Sequence, residues 1–211
     1  MNALQLLNLG SHKLKKRSIL SHKLDSELLL SKILKKSREK VIIDLDQKIS
    51  LINISQFNDY INRRSSSEPI AYILKEKEFW SKSFDIEKNT LIPRPETELM
   101  VEKLVKIFKN KRLNVVDIGT GSGCILISLL SEIKNSKGLG IDVSQQSILI
   151  AKKNAKKHKV ESKIKFSRKT LSMLCHNKFD LVVSNPPYIK TKDLKNLQDD
   201  IKYFEPKLAL D

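Results

Sequence analysis

Leu113-Asn114-Val115-Val116-Asp117-Ile118-Gly119-Thr120-Gly121-Ser122-Gly123 is the stretch that decides the fold. A short apolar run ends in three alternating glycines, and the apolar segment Cys124 to Ile133 follows at helix length. A buried strand that turns on glycine directly into a helix opens a βαβ unit. Downstream, Gly138-Leu139-Gly140-Ile141 reads as a second strand, closed by Asp142. Ser144 is placed to cap a helix running to about His158, with Ile148, Leu149, Ala151 and Ala155 inward. Ile164-Lys165-Phe166 is expected as a third strand. Phe179 to Val183 is expected as a fourth, delivering Ser184 and Asn185 at its carboxyl end. Strand and helix in alternation imply parallel strands with right-handed crossovers, a doubly wound α/β sheet of Rossmann-like type.

Upstream of that stretch the pattern differs. Residues 1–68 read as a small all-α bundle. Leu4, Leu7 and Leu14, then Leu24, Leu28, Leu29, Ile33 and Leu34, recur at helical spacing. Asp25-Ser26 is positioned to cap the second helix, and Phe57, Tyr60 and Ile61 mark a later one. His12 and His22 sit among lysines and are read as solvated. Residues 69–95 read as a β-hairpin linker. Ile70, Tyr72 and Leu74, then Phe79, Phe84 and Ile86, suggest strands, with Lys75-Glu76-Lys77 as the turn. From Glu96 to about Lys109 an amphipathic helix places Leu99, Val101, Leu104, Val105 and Phe108 inward. Residues 96–211 form the α/β domain.

Composition bounds the function. The 211 residues carry a formal net charge of +16, which suggests a polyanionic partner. Only seven of the 40 basic residues are arginine and the other 33 are lysines spread along the chain. Phosphate readers favour clustered arginine forks, so a solvated lysine surface is the plainer reading and nucleic acid an unlikely, unexcluded partner. No apolar stretch approaches the ~20 residues of a membrane span. Cys124 and Cys175 share no metal-ligand spacing and are read as packing residues. No metal is expected, and a cytoplasmic monomer is.

The site is expected at the carboxyl ends of the strands, where open α/β sheets bind ligands. Gly119, Thr120, Gly121, Ser122 and Gly123 let the backbone approach a ligand. Asp142 can accept from both hydroxyls of a ribose, and Asp117 can face the cationic end of a cofactor. A dinucleotide protein would show a similar acid, but its glycines follow Gly-x-Gly-x-x-Gly. The alternation at 119, 121 and 123 points instead to S-adenosyl-L-methionine. Asn185-Pro186-Pro187-Tyr188 then supplies chemistry. Two prolines end ladder pairing and stiffen the chain. The Asn185 side-chain oxygen and the Pro186 carbonyl can hold both N–H bonds of an amide or exocyclic amine. Tyr188 offers a flat face for a planar group. The bland alternative is a strand terminator without chemistry.

Asn-Pro-Pro-Tyr resembles many amino-methyltransferases, including those acting on adenine. Three further stretches resemble the HemK-like release-factor glutamine N5-methyltransferases: Glu68-Pro69-Ile70-Ala71-Tyr72-Ile73-Leu74 with Phe79-Trp80, then Leu91-Ile92-Pro93-Arg94-Pro95-Glu96-Thr97-Glu98, then Glu205-Pro206-Lys207-Leu208-Ala209-Leu210. The resemblance covers the whole chain. It implies a class I S-adenosylmethionine-dependent methyltransferase fold, with the glutamine of the Gly-Gly-Gln loop in class I peptide chain release factors as substrate. It implies that Gly119 to Gly123 and Asp142 bind the cofactor and that Asn185 to Tyr188 hold the glutamine amide, with Asn185 also against the cofactor. It also implies that the N-terminal bundle contacts the release factor.

The chain departs from that family at Lys169 and Thr170, where relatives carry an acid and an aromatic beside the adenine. Thr170 retains a hydroxyl or backbone contact without a stacking face. Lys75 replaces a glycine common in relatives. The family continues beyond the position of Asp211 with strands that complete the sheet, so an incomplete sheet and a truncated product are expected. Two other readings remain at this point. One is methylation of a ribosomal-protein glutamine or of adenine N6 in nucleic acid. The other is a non-catalytic remnant that binds a partner.

Overall fold

The computed structural model describes residues 1–174 and 178–211, so Cys175 lies outside the described residues. The chain divides into two units, Met1–Leu74 and Lys75–Asp211.

The first unit is helical: α1 (Ala3–Lys15), α2 (His22–Leu34), α3 (Arg38–Ile43), α4 (Leu51–Ser65) and α5 (Ile70–Leu74). Side chains satisfy the free amides at several helix starts. Asn2 and Gln5 form a reciprocal capping box on α1, while Ser37 and Ser50 cap α3 and α4. Leu6, Leu14, Leu29, Leu30, Phe57 and Ile61 fill the core. Gly10 lets α1 approach closely, since a Cβ there would lie 2.6 Å from the Phe57 ring.

Three expectations for this unit are corrected. Asp25 and Ser26 do not cap α2, which starts at His22; both are buried inside it. Ser26 Oγ donates to the Leu7 carbonyl at 3.0 Å. Arg64 Nε donates to Asp25 Oδ2 at 2.7 Å, with the two side chains 11% and 4% exposed. His22 is half-buried, its Nδ1 2.8 Å from Ser11 Oγ. Ile70–Leu74 is a helix, not a strand. The period-two reading took Ile70, Tyr72 and Leu74 and passed over Ala71 and Ile73, which are also apolar and buried. A short run that is apolar on all sides does not distinguish strand from helix. The Pro69 carbonyl decides it by accepting from the Tyr72 and Ile73 amides.

The second unit begins with the hairpin β1 (Glu76–Phe79) and β2 (Lys82–Asp85). Its turn is Trp80-Ser81, with φ of +53° and +51°, and not Lys75–Lys77. Two positive φ values make the tight turn that suits hairpin twist, usually with glycine or asparagine. Here Trp80 is held from outside: its amide donates to Glu98 Oε1 at 3.0 Å and its indole to Glu132 Oε1 at 3.3 Å.

Then follow α6 (Glu96–Phe108), β3 (Asn114–Ile118), α7 (Cys124–Glu132), β4 (Lys137–Asp142), α8 (Gln145–Lys157), β5 (Ile164–Arg168), β6 (Leu181–Ser184) and α9 (Asp199–Phe204). The four strands β5-β4-β3-β6 form one parallel sheet in that order. Asp117, Gly140, Phe166 and Val183 stand opposite one another and share a face. α7 packs on that face against β3 and β4. Gly138 makes room for it: a Cβ would lie 2.7 Å from Leu126 and 2.8 Å from Leu130. On the other face Val116 and Ile141 pack with Leu174 and Phe179. β6 pairs with β3 on one side, and its other edge has no strand partner among the described residues.

Leu99 and Leu149 were expected inward and are 60% and 56% exposed. On α6 the covered stripe is Val101, Leu104, Val105 and Phe108, which leaves Leu99 about two hundred degrees away at ~100° per residue. On α8 the buried stripe is Ile148, Ala151, Asn154 and Ala155, and polar Asn154 occupies a position that an apolar reading assigns elsewhere. Among the described residues no helix is long and apolar enough to cross a membrane.

Arg64→Met leaves the Asp25 carboxylate buried without its cation. The expected loss of stability in the first unit is about 3–5 kcal/mol, read by urea denaturation followed by circular dichroism. A loss below about 1 kcal/mol would place Asp25 in a far wetter setting than the structure has.

Candidate active site

β3 and β4 run side by side, and their carboxyl ends are stitched together by backbone. The amides of Gly119 and Thr120 both donate to the Ile141 carbonyl at 2.9 Å. Gly123 donates to the Thr120 carbonyl at 2.8 Å, closing the turn. Gly119, Gly121 and Gly123 have φ of +72°, +55° and +80°, a region in which side chains are strained. Beyond that demand, the glycines differ. A Cβ at Gly119 would meet nothing within 4 Å, and one at Gly121 nothing nearer than 3.9 Å. A Cβ at Gly123 would lie 2.9 Å from Ile127 and 3.2 Å from Ala151. The first two border open space above the loop, and the third is needed for packing.

Asp142 is fixed at the end of β4. Its Oδ1 accepts from the Ser144 amide at 2.8 Å and its Oδ2 from the Gly121 amide at 3.0 Å. Each carboxylate oxygen keeps a lone pair, so the pair can still accept from two vicinal hydroxyls. Asp117 lies beneath the loop at 0% exposure. Thr120 Oγ1 donates to its Oδ2 at 2.7 Å, and the Leu126 amide lies close enough to act on the same carboxyl. Burial pushes the Asp117 carboxyl up to about 7; the Thr120 hydroxyl opposes that, the neighbouring Asp142 charge adds to it, and the Leu126 amide in the first turn of α7 opposes it. A cationic group bound above the loop would favour the ionised form of this acid. Open space over positive-φ glycines, two hydroxyl acceptors and this buried acid together fit S-adenosyl-L-methionine.

Thr170 and Lys169 stand at the carboxyl end of β5. The Lys169 amide donates to the Asp142 carbonyl at 3.1 Å, which places this corner beside the same acid. Thr170 is exposed, with its Oγ1 2.8 Å from Ser172 Oγ. Cys124, next to the loop, is buried and its thiol is pushed up to about 12 by burial, a protonated packing residue at neutral pH.

β6 brings in the tetrapeptide. Ser184 Oγ donates to the Ile118 carbonyl at 2.9 Å, pinning the end of β6 to the end of β3. Asn185 follows, half-buried; Pro186 and Pro187 are exposed and Tyr188 is 77% exposed. Leu91, Arg94, Asn185, Pro186, Tyr188 and Leu210 line a small cleft here. Its floor is tied by the Ile189 amide donating to the Leu210 carbonyl at 3.0 Å.

An ion pair not anticipated from the sequence braces this cleft. Arg94 Nη2 donates to Glu205 Oε1 at 2.7 Å, and the Ile92 amide reaches Glu205 Oε2 at 3.4 Å. The Glu205 side chain is 1% exposed. Burial raises its pKa, while Arg94 pulls it down. The signal was present as an arginine between two prolines and a glutamate before a proline, charges on stiff backbone within apolar segments.

Two family models match parts of the chain. A PrmC N-terminal domain model matches residues 5–74, and a methyltransferase small domain model matches residues 95–201. The chain is 43% identical over 205 residues to a release factor glutamine methyltransferase of Buchnera aphidicola subsp. Baizongia pistaciae, covering 97% of this chain and 73% of that protein. It is 36% identical over 201 residues to the Caulobacter vibrioides protein of the same name, covering 94% and 70%. It is also 34% identical over 226 residues to a bifunctional methyltransferase of Rickettsia typhi, covering 98% and 44%.

Asp117 makes stability pH-dependent. Its carboxyl titrates near 3.8 when unperturbed and near 7 in the fold. Between those values the folded chain holds a proton that the unfolded chain has lost, so this group's contribution falls as pH rises through that window and levels off above it. The urea midpoint of the ligand-free chain, compared with Asp117→Asn, is expected to drop relative to the variant from about pH 5 to about pH 8. A constant difference between the two would contradict the buried acid.

Proposed function

The chain belongs to the release factor glutamine methyltransferase family, and on that premise we propose that it methylates the side-chain nitrogen of the Gly-Gly-Gln glutamine in class I peptide chain release factors. The observation that carries the reading is the placement of Asn185-Pro186 at the end of β6, pinned through Ser184 to β3 beside the glycine loop and Asp142.

S-adenosyl-L-methionine, when bound, supplies an electrophilic methyl group. The rest is done by this chain's residues. Gly119, Thr120, Gly121, Ser122 and Gly123 leave room for a ligand against bare backbone. Asp142 accepts from ribose hydroxyls, and Asp117, buried beneath the loop, adds negative potential at the cationic end of the cofactor when ionised. Thr170 offers its hydroxyl at the adenine end. Asn185 Oδ1 and the Pro186 carbonyl accept the two N–H bonds of the glutamine amide, turning its lone pair toward the methyl. Pro186 and Pro187 restrict the backbone that carries those acceptors. Tyr188 presents its ring at the surface, where a planar amide arriving on an extended loop can stack.

Neither Asn185 nor Pro186 is a base. The chain's contribution is orientation, which can supply several kcal/mol of barrier lowering when reacting atoms are held in line. The proton that the nitrogen loses after transfer leaves to water at this exposed edge. The Arg94–Glu205 pair acts at the cleft by joining the Leu91–Pro95 segment to the residue that ends α9.

The reading is tested by incubating the chain with a release factor and methyl-labelled S-adenosylmethionine, then mapping the label by mass spectrometry. Label on the Gly-Gly-Gln glutamine is expected; label confined to another residue sinks the assignment. Asn185→Ala is expected to lower turnover about a hundredfold while cofactor affinity stays within about threefold. Equal losses in both would move Asn185 from the substrate to the cofactor side.

A further inference from the structure

Asn154 sits on the inner face of α8 at 0% exposure, and its amide is fully engaged. Its Oδ1 accepts from the Asp85 amide at 2.8 Å. Its Nδ2 donates to the Asp85 carbonyl at 3.1 Å and to the Ser122 carbonyl at 2.9 Å. The first two bonds let the side chain stand in for a neighbouring strand beside β2. The third reaches the middle of the glycine loop. One buried amide therefore joins α8, the hairpin and that loop.

Three basic side chains at the end of α8 grip the hairpin. Lys153 and Lys157 bind the two oxygens of Asp85 at 2.8 Å and 2.6 Å. Burial works against the Asp85 charge, but these two lysines prevail and its pKa is lowered. His158 Nε2 lies 3.0 Å from the Ser83 carbonyl, and its ring packs on Phe84 with centroids 4.8 Å apart. These contacts dock the hairpin; the Asn154 bond to Ser122 is the hydrogen bond that reaches the loop.

The Ser122–Gly123 peptide is held at both ends. Asn154 donates to its carbonyl, and its N–H donates to the Thr120 carbonyl at 2.8 Å. Without the Asn154 donor, the buried Ser122 carbonyl loses its partner, which a buried acceptor resists. Turning that peptide to find water would break the Gly123–Thr120 bond. It would also shift Gly121, whose amide reaches Asp142.

We propose that Asn154 is a positioning residue: it sets the Ser122 peptide so that the glycine loop stays shaped for S-adenosylmethionine, and it couples occupancy of that loop to the hairpin. The inference rests on the cofactor reading given above. It treats the hairpin as part of the cofactor site's support and not as a linker alone.

The test is calorimetric titration of S-adenosylmethionine into the wild type, Asn154→Asp and Asp85→Asn. Asn154→Asp keeps an acceptor for the Asp85 amide and loses both donors. Its dissociation constant is expected to rise about tenfold or more, measured well below its melting temperature. Asp85→Asn alters the lysine pairs and leaves the Asn154 bonds in place, so it is expected to bind within about twofold of wild type. Amide exchange in the wild type decides the matter should Asn154→Asp not fold: cofactor is expected to slow exchange at the Asp85 amide about tenfold. A folded Asn154→Asp that binds like wild type overturns the inference, as does an Asp85 amide indifferent to cofactor. A wild type that binds no S-adenosylmethionine overturns the cofactor reading itself, and the inference with it.

Discussion

Gly121 donates its amide hydrogen to Asp142 across the ends of two neighbouring strands, and most of the site's form follows from that bond. It can form only if β3 and β4 are parallel and in register, so that their carboxyl ends arrive together. It requires a backbone turn with positive φ, which glycine supplies at low cost. The turn in turn roofs over Asp117, removing it from water and lifting its pKa. A hydrogen bond between a loop and an acid thus accounts for the glycines, the depth of one carboxylate and the exposed lone pairs of the other.

The parts legible in the sequence were those encoded locally. A strand ending in alternating glycines needs only a few adjacent residues to specify it, and so does a strand closed by Asp142 or by Asn185. The parallel order followed because crossover helices leave few topologies. What escaped reading was set by partners far away in the chain. Asp25 looked like a cap until Arg64, thirty-nine residues on, claimed it. Ile70–Leu74 looked like a strand because a short run buried on several sides carries no usable period. Leu149 looked inward because Asn154 is polar, yet Asn154 takes the buried stripe by bonding to Asp85 and Ser122. Glu205 stood out only as part of a stretch shared with relatives, and it is the buried partner of Arg94.

These long-range partners share a function in the fold. Arg94 and Glu205 join two stiff, proline-flanked segments on one side of the tetrapeptide. Asn154 joins the hairpin to the glycine loop. The groups proposed to touch substrate and cofactor are mostly backbone amides, carbonyls and neutral side chains, which do little chemistry alone. Their value lies in being held still, and buried polar pairs hold them. Such groups are costly to bury unpaired and well defined once paired, which suits a reaction that depends on aim more than on proton transfer.

A crystal structure of the chain with S-adenosylhomocysteine and a peptide carrying Gly-Gly-Gln tests this account most directly. The account predicts both ribose hydroxyls within about 3 Å of the Asp142 carboxylate. It predicts the glutamine amide bonded to Asn185 Oδ1 and the Pro186 carbonyl at similar distance, with its nitrogen facing the sulfur. A nucleoside bound away from the Gly119–Gly123 loop, or a glutamine side chain that does not meet Asn185, would contradict it.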